Sequence, residues 1–250
     1  MNAVLAIAAK EIRSQFLSPR AWGILAVNAA VLGYVFLIQL ERFTAWQLQL
    51  TEVANAPGAT ELVVLPLFKT AGFLFLVTAP LLTMNLIAEE RRQKTLVLLL
   101  SSPVTSAQIV LGKYLGLVTY LLCLLLLTAI LPLSLQLGGP LDYGLMASGF
   151  LGLALLLACM GAAGLFVSCH TELPSLAAFN TFGLLMLLWI LNWSGEPGDS
   201  AWWSYLSLGV HFDHLLSGIV RLQDIVYFCV LTGVFLVLGT RRLSNETRTA

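Results

Sequence analysis

Six long apolar stretches dominate the sequence, covering roughly residues 21–40, 62–87, 109–133, 143–167, 174–193 and 223–240. A helix that spans a membrane needs about 20 mostly apolar residues, and each stretch is close to that length. In lipid the backbone must satisfy its own hydrogen bonds, and these stretches are too long and unbroken to be strands of a membrane barrel. The sequence therefore predicts an all-α membrane protein with six transmembrane helices.

The composition supports this prediction. Of the 250 residues, 58% are hydrophobic and only 10% are charged, whereas a soluble domain has about 25% charged residues. The excess apolar surface must face lipid, so the bilayer is itself a partner of this chain. The formal net charge is zero, which gives no indication of a nucleic-acid partner. We expect a single membrane domain over residues 1–250.

Residues 1–18 predict an amphipathic helix that lies in the membrane interface. Apolar side chains recur at helical spacing on one face, and polar or basic ones lie opposite: Leu5, Ala8, Ala9, Ile12 and Phe16 against Lys10, Arg13 and Ser14. Ser18-Pro19 then predicts a break, because serine caps a helix and proline is tolerated at its first position.

The distribution of lysine and arginine predicts the orientation. With both termini in the cytoplasm, ten of the 13 basic residues fall on the inner side. The outer side and its nearby membrane then keep only Arg42, Lys69 and Arg221. We therefore expect a multi-pass protein of the inner membrane with both termini cytoplasmic, which agrees with an even number of spans.

The fourth stretch contains small residues four positions apart, in two series: Gly144, Ser148 and Gly152, and then Ala154, Ala158 and Ala162. Small residues at this spacing let membrane helices approach closely. The pattern predicts tight helix packing, either within the chain or across a dimer.

Lys69 lies inside the second stretch, where an ionisable side chain costs roughly 3 kcal/mol on insertion scales. Two interpretations stay open. The side chain extends to the outer surface along its apolar stem, or it lines a conduit for cargo.

The loop before the last stretch contains His211-Phe212-Asp213-His214, three side chains of types that bind metals. A transition-metal site usually has a fourth ligand or an open position filled by water. No fourth ligand is evident, so the sequence predicts a structural outer loop over residues 194–222 and no metal.

No phosphate-binding motif of the type G-x-x-x-x-G-K-[ST] occurs, and Gly112-Lys113 lacks a glycine five positions before Gly112. A serine elbow and a zinc-protease motif are also missing from the sequence. We therefore expect that this chain is not an enzyme and does not hydrolyse ATP.

Residues 88–106, between the second and third stretches, join a charge cluster to a short apolar segment. The residues singled out here are Glu89, Glu90, Arg91, Arg92, Thr95, Leu96, Leu99 and Pro103. This segment has two interpretations: a short cytoplasmic helix that transmits force from a soluble partner, or a positively charged anchor with a solvated charge run.

Four parts of the chain resemble the ABC type-2 exporter permeases, and the resemblance extends over nearly the whole length. The segment from Ala9 to Trp22 resembles the basic interfacial helix of that family. Residues 89–103 resemble its coupling helix, and Ile109–Lys113 is similar to the start of its third span. A last set resembles the gliding-motility-type branch: His211, Phe212, Gly218, Leu222, Asp224, Tyr227 and Phe228.

This resemblance implies a six-helix subunit that pairs with a second permease subunit, as a homodimer or a heterodimer. It implies two cytoplasmic ABC ATPases that bind ATP and Mg²⁺, so this chain would need no cofactor of its own. Residues 88–106 would couple ATP hydrolysis to cargo movement, and short re-entrant helices would form in the outer loop. Whether a periplasmic accessory subunit joins stays open.

One departure lies in the coupling segment, where the family commonly has Gly-Thr-Leu-Glu and this chain has Lys94-Thr95-Leu96-Val97. Two alternative functions also stay open. A self-sufficient secondary transporter or channel usually shows internal repeats, and residues 1–125 and 126–250 show no convincing repeat. A non-transporting membrane assembly protein could have the same sequence features.

Overall fold

The structure, a computed structural model, describes residues 3–50, 58–95, 104–137, 141–191 and 204–249. Within these ranges the chain forms nine α-helices and no strand: α1 (Ala3–Leu17), α2 (Pro19–Leu50), α3 (Leu65–Thr83), α4 (Ala88–Arg92), α5 (Ser106–Ser134), α6 (Tyr143–Ser168), α7 (Pro174–Ile190), α8 (Leu208–Leu216) and α9 (Leu222–Thr249). A π-helical turn, Thr60–Val64, precedes α3, and 3₁₀ turns form at Leu135–Leu137 and Ser204–Leu206. The expected all-α architecture is confirmed for this part of the chain.

In the part of the chain that the structure describes, five helical segments are long and apolar enough to cross a membrane: Pro19–Trp46, Thr60–Arg92, Ser106–Ser134, Tyr143–Ser168 and Leu222–Asn245. They correspond to five of the six predicted stretches. The remaining stretch, 174–193, contains α7, which has 17 residues. At 1.5 Å per residue this helix is about 25 Å long, slightly less than the hydrocarbon thickness of about 30 Å.

Helix α6 lies at the centre of the bundle and packs against α3, α5, α7, α8 and α9. Its small residues permit these contacts. A Cβ atom at Gly152 would lie 3.0 Å from Cβ of Leu215, and Ser148 and Ala162 are buried. The close packing predicted from the small residues is confirmed, and at Gly152 the contact lies within the chain.

Helix α1 packs along the first part of α5, where two glycines lie one turn apart. A Cβ atom at Gly112 would lie 2.8 Å from Cβ of Ile7, and one at Gly116 would lie 2.6 Å from Cβ of Glu11. Only glycine therefore permits this approach. The predicted break after α1 is confirmed, because α1 ends at Leu17 and α2 begins at Pro19.

Side-chain hydrogen bonds join the long helices to one another. The Tyr120 hydroxyl of α5 donates to the Ala21 carbonyl oxygen of α2 at 2.6 Å, and the Tyr114 hydroxyl donates to the Ala158 carbonyl oxygen of α6 at 3.0 Å. Such bonds between membrane helices contribute about 0.6–2 kcal/mol each. They fix the rotation of α5 against its neighbours.

The bundle has two ends with different side chains. We call one the charged end, defined by Glu11, Glu90 and Lys113, and the other the histidine end, defined by His211, His214 and Asp224. Helix α6 begins at the histidine end, where Leu145 lies against Gly218. It finishes at the charged end, where the Ser168 hydroxyl contacts Ala88.

Helix α7 runs in the opposite direction between the same two ends. It begins after Cys169, whose carbonyl oxygen contacts Arg91 of α4. In its last turn the ring of Trp189 lies 6.1 Å from the ring of Phe212 in α8. Although α7 is short, it therefore connects the charged end with the histidine end.

Candidate functional site

The charged end contains a buried ion network centred on Lys113, whose exposed fraction is 3%. The Lys113 ammonium donates to the Leu86 carbonyl oxygen at 2.6 Å. It lies 3.0 Å from Oε1 of Glu90 and 3.4 Å from Oε2 of Glu11. Three elements therefore meet at one side chain: α1 through Glu11, α4 through Glu90 and α5 through Lys113 itself.

The formal charges of this network balance only when an exposed lysine is included. One ammonium faces two carboxylates, and the exposed Lys10 adds a second positive charge 3.7 Å from Oε1 of Glu90. The other carboxylate oxygen, Oε2 of Glu90, is buried and has no hydrogen-bond partner among the described residues. Removing one member of a buried ion pair is costly, because its partner keeps an uncompensated charge. The network therefore holds α1, α4 and α5 in one arrangement.

A serine of a different helix caps the beginning of α4. The Ser168 hydroxyl oxygen of α6 accepts from the backbone N–H groups of Ile87, at 3.1 Å, and of Ala88, at 3.0 Å. The first N–H groups of a helix have no partner inside it, so this hydroxyl satisfies two of them. The guanidinium of Arg91 donates to the Cys169 carbonyl oxygen at 2.7 Å. Helix α4 is thus attached to the last turn of α6.

The end of α4 forms a Schellman motif. The Thr95 N–H donates to the Glu90 carbonyl oxygen and the Lys94 N–H to the Arg91 carbonyl oxygen, both at 3.0 Å. Lys94 occupies the left-handed position of this motif, with φ of 58°, which glycine normally fills. The chain then continues into residues 96–103, so the predicted coupling residues Leu96, Leu99 and Pro103 lie outside the described residues.

The remaining coupling residues of the predicted segment separate into two groups. Glu90 and Arg91 face the bundle and make the contacts given above. Glu89 and Arg92 form a more exposed pair, with Nη2 of Arg92 2.7 Å from Oε1 of Glu89. The Thr95 hydroxyl donates back to the Glu90 carbonyl oxygen at 3.2 Å.

Lys113 was not among the site residues predicted from the sequence. The signal that singled out Lys69, a lysine inside an apolar stretch, applies equally to Lys113. Beside the network a cleft of about 600 Å³ separates α1, α2 and α4. It carries charges of both signs, from Lys10, Glu11, Arg20, Glu89, Glu90 and Lys113. The cleft gives solvent a route to an otherwise buried network.

At the histidine end, α8 is attached to the first turn of α9. Nδ1 of His211 lies 2.5 Å from Oδ1 of Asp224, and Nδ1 of His214 lies 3.3 Å from the same oxygen. Asp224 is 1% exposed. The ring of Tyr227 stacks on that of His211 at 4.0 Å. Two of the four outer-loop residues predicted from the resemblance, His211 and Asp224, are thus in direct contact.

The other two residues of that motif have structural positions. Phe212 is fully buried and packs against Gly72 and Gly152. Gly218 follows the end of α8 with φ of +82°, a conformation that glycine adopts without strain. Residues 194–203 of the predicted outer loop lie outside the described residues.

Lys69, for which the sequence leaves an outer-surface position and a conduit position open, has an ionic partner at this end. Its ammonium lies 2.9 Å from Oδ1 of Asp213, and the two side chains are 62% and 51% exposed. The contact joins α3 to α8. Since exposed ion pairs contribute about 0–1 kcal/mol to stability, the main effect of this pair is to orient α8 against α3.

Comparison with known protein families gives a match over nearly the entire chain. Residues 5–247 match a family model described as ABC-2 family transporter protein. No curated protein matches the sequence.

Proposed function

The chain belongs to the ABC-2 family of transporter proteins, and we propose that it is the membrane permease subunit of an ATP-driven exporter. In this proposal a separate cytoplasmic ATPase binds ATP and Mg²⁺, and this chain supplies the membrane path together with a second permease subunit, identical or different. The five helical segments of spanning length among the described residues support the membrane role.

We further propose six spans, with α7 as the fifth. The observation that supports a sixth span is that α7 connects the two ends of the bundle. Before α7, Cys169 contacts Arg91 at the charged end, and in its last turn Trp189 lies beside Phe212 at the histidine end. A seventeen-residue helix is at the lower limit for spanning. The charged end then faces the cytoplasm, because it carries the lysines and arginines that the positive-inside rule places there. Both termini lie on that side, and α1 lies at the inner interface.

The observation that carries the proposed mechanism is the Lys113 network. The proposed coupling segment, residues 88–106, contains α4. Because Glu90 of α4 and Glu11 of α1 share one ammonium on α5, a displacement of α4 moves α1 and α5 with it. A buried ion network of this kind transmits displacement between rigid helices, whereas a solvated charge run would not. The coupling interpretation is therefore favoured over the simple anchor.

The resemblance to the gliding-motility-type branch supports a placement within the family. Its residues His211 and Asp224 are in contact at the histidine end. This branch serves more than one cargo, so the proposal names no substrate.

The test is docking of the ATPase at the proposed coupling segment. Replacing Leu96 and Leu99 with aspartate places two carboxylates in a surface that binding would desolvate, and unpaired buried charges are costly. We expect the double variant to insert in the membrane normally and to lose the co-purifying ATPase in mild detergent. Glu172→Lys, an exposed change in the α6–α7 connection at the same end, is the matched control.

Normal recovery of an ATPase with the double variant, at normal turnover in membranes, would contradict the coupling role. The purified chain alone should show no ATPase activity above a detergent blank. A chain that moves a solute without any co-purifying ATPase would instead support the secondary-transporter alternative.

A further inference from the structure

The ring of His211 lies between two hydrogen-bond acceptors. Its Nε2 is 3.2 Å from the Tyr205 carbonyl oxygen, and its Nδ1 is 2.5 Å from Oδ1 of Asp224. A backbone carbonyl oxygen only accepts, so Nε2 carries the proton of the neutral ring. Nδ1 then directs a lone pair at a carboxylate. Two acceptors in contact need a cation between them, which is either a second ring proton or a metal ion.

A second histidine faces the same carboxylate. Nδ1 of His214 lies 3.3 Å from Oδ1 of Asp224, and the ligand atoms of His211, His214 and Asp224 all lie within 4.8 Å of one another. Two imidazoles and one carboxylate are a ligand set that zinc takes, at about 2.0–2.2 Å from each atom. We propose that these three residues bind one divalent transition-metal ion of the zinc class at the histidine end.

The carboxylate itself favours a metal over a single proton. Asp224 is almost fully buried, and its Oδ2 atom has no hydrogen-bond partner among the described residues. A proton on Nδ1 of His211 would satisfy Oδ1 only, and Oδ2 would stay desolvated without compensation. A divalent cation can take both carboxylate oxygens together with the two imidazole nitrogens, and it is the counter-charge that a buried anion lacks.

The surroundings of the cluster match those of a metal site. Metal-binding histidines usually donate their second ring N–H to a carbonyl or carboxylate oxygen, as His211 does to Tyr205. Tyr227 stacks on the same ring, and its hydroxyl is fixed by a 2.7 Å hydrogen bond to the Leu206 carbonyl oxygen. The side chain of His214 is 37% exposed, so water can reach the coordination position that the three residues leave open.

The sequence alone predicts no metal here, because no fourth ligand is evident beside His211, Asp213 and His214. The fold changes the ligand set. Asp213 pairs with Lys69 of α3, and Asp224, from the first turn of α9, takes its place beside the histidines. A bound ion would therefore connect α8 to α9, and this inference does not depend on the proposed coupling to an ATPase.

The test is the metal content of the full-length chain, purified in detergent with an affinity tag that contains no histidine. After equilibration with Zn²⁺ and removal of unbound metal, we expect about one zinc per chain by elemental mass spectrometry. With Co²⁺ in place of Zn²⁺ we expect visible absorption bands of a nitrogen- and oxygen-ligated ion, abolished by chelator. This measurement needs no variant.

Variants then locate the site. His211→Asn with His214→Asn, and Asp224→Asn alone, should each lower Co²⁺ affinity at least about tenfold. The matched control is His170→Asn at the charged end, where Nδ1 of His170 contacts the Phe166 carbonyl oxygen of its own helix, and it should bind as the wild type does. Background zinc and no cobalt bands in the wild type would overturn the proposal, as would equal loss in the His170 variant.

Discussion

Lys94 is in an unfavourable backbone conformation for a residue with a side chain. Left-handed geometry costs an L-residue roughly 1–2 kcal/mol, and glycine avoids that cost. We expect Lys94→Gly to raise the free energy of unfolding by about 1 kcal/mol, since the Schellman motif stays and the strain is removed. Lys94→Ala, which keeps a Cβ, should give no such gain. Chemical denaturation in detergent measures both, and an equal change in the two variants would contradict the explanation.

Lys113 is expected to be the most sensitive residue of the charged end. Lys113→Met leaves the carboxylates of Glu11 and Glu90 facing each other without their shared cation, a loss on the order of 3 kcal/mol. Adding Glu90→Gln should recover part of that loss, because it neutralises one of the two carboxylates. Thermal unfolding in detergent gives the comparison. Lys10→Met is the control, because that side chain is 72% exposed. An equally large loss of stability in this control would contradict the prediction that burial of the Lys113 ammonium causes the effect.

The sequence predicts features that depend on neighbouring residues, but it does not predict contacts between side chains that are far apart in the chain. The lysine inside an apolar stretch at position 113 is visible in the sequence. Its partner Glu11 lies 102 residues earlier, and no periodic pattern connects them. The contact of His211 with Asp224 is similar, because it forms only once α8 folds against α9.

At the level of elements, the contact of α1 with α5 depends on Gly112 and Gly116. A Cβ atom at position 116 would already lie 2.6 Å from Cβ of Glu11, and Gly116→Val adds two further methyl groups, so we expect α1 to separate from α5. Faster tryptic cleavage within α1, at Lys10 and Arg13, would report the separation. Gly233→Val in α9 is the control, since no atom lies within 4 Å of a Cβ there. Unchanged cleavage in the Gly116 variant would contradict this packing role.

Most helices followed directly from the apolar stretches, because a spanning segment must be both long and apolar to be stable in lipid. The break before Pro19 also followed from local chemistry. Two features needed the fold. The short helix α4 depends on Ser168 of another helix for its cap. The packing role of Gly112 and Gly116 is visible only when α1 lies against α5.

For the whole molecule, we expect the charged end inside and the histidine end outside. In a variant with the four native cysteines replaced, single cysteines at Thr95 and Glu172 should react with an impermeant label only from the cytoplasm. A cysteine at Ser217 should react only from outside. Reaction of the Glu172 and Ser217 positions from the same side would mean that α7 does not cross.

At the scale of the whole molecule, the features that could be predicted are those that depend on length and apolar composition. Family membership and the membrane location are confirmed, and both depend on features spread along the entire chain. The pairing of α8 with α9 at the histidine end depends on a few side chains, and composition carries no information about it.

The position of Lys113 also sets an order of events during synthesis. Both carboxylates that it contacts precede it in the sequence, Glu11 by 102 residues. Ribosomes add roughly 5–20 residues per second, so Glu11 is made roughly 5–20 s before its counter-ion. Throughout that interval α1 also lacks the two glycines of α5 against which it packs. Helix α1 is therefore unable to take its final place until α5 has been made.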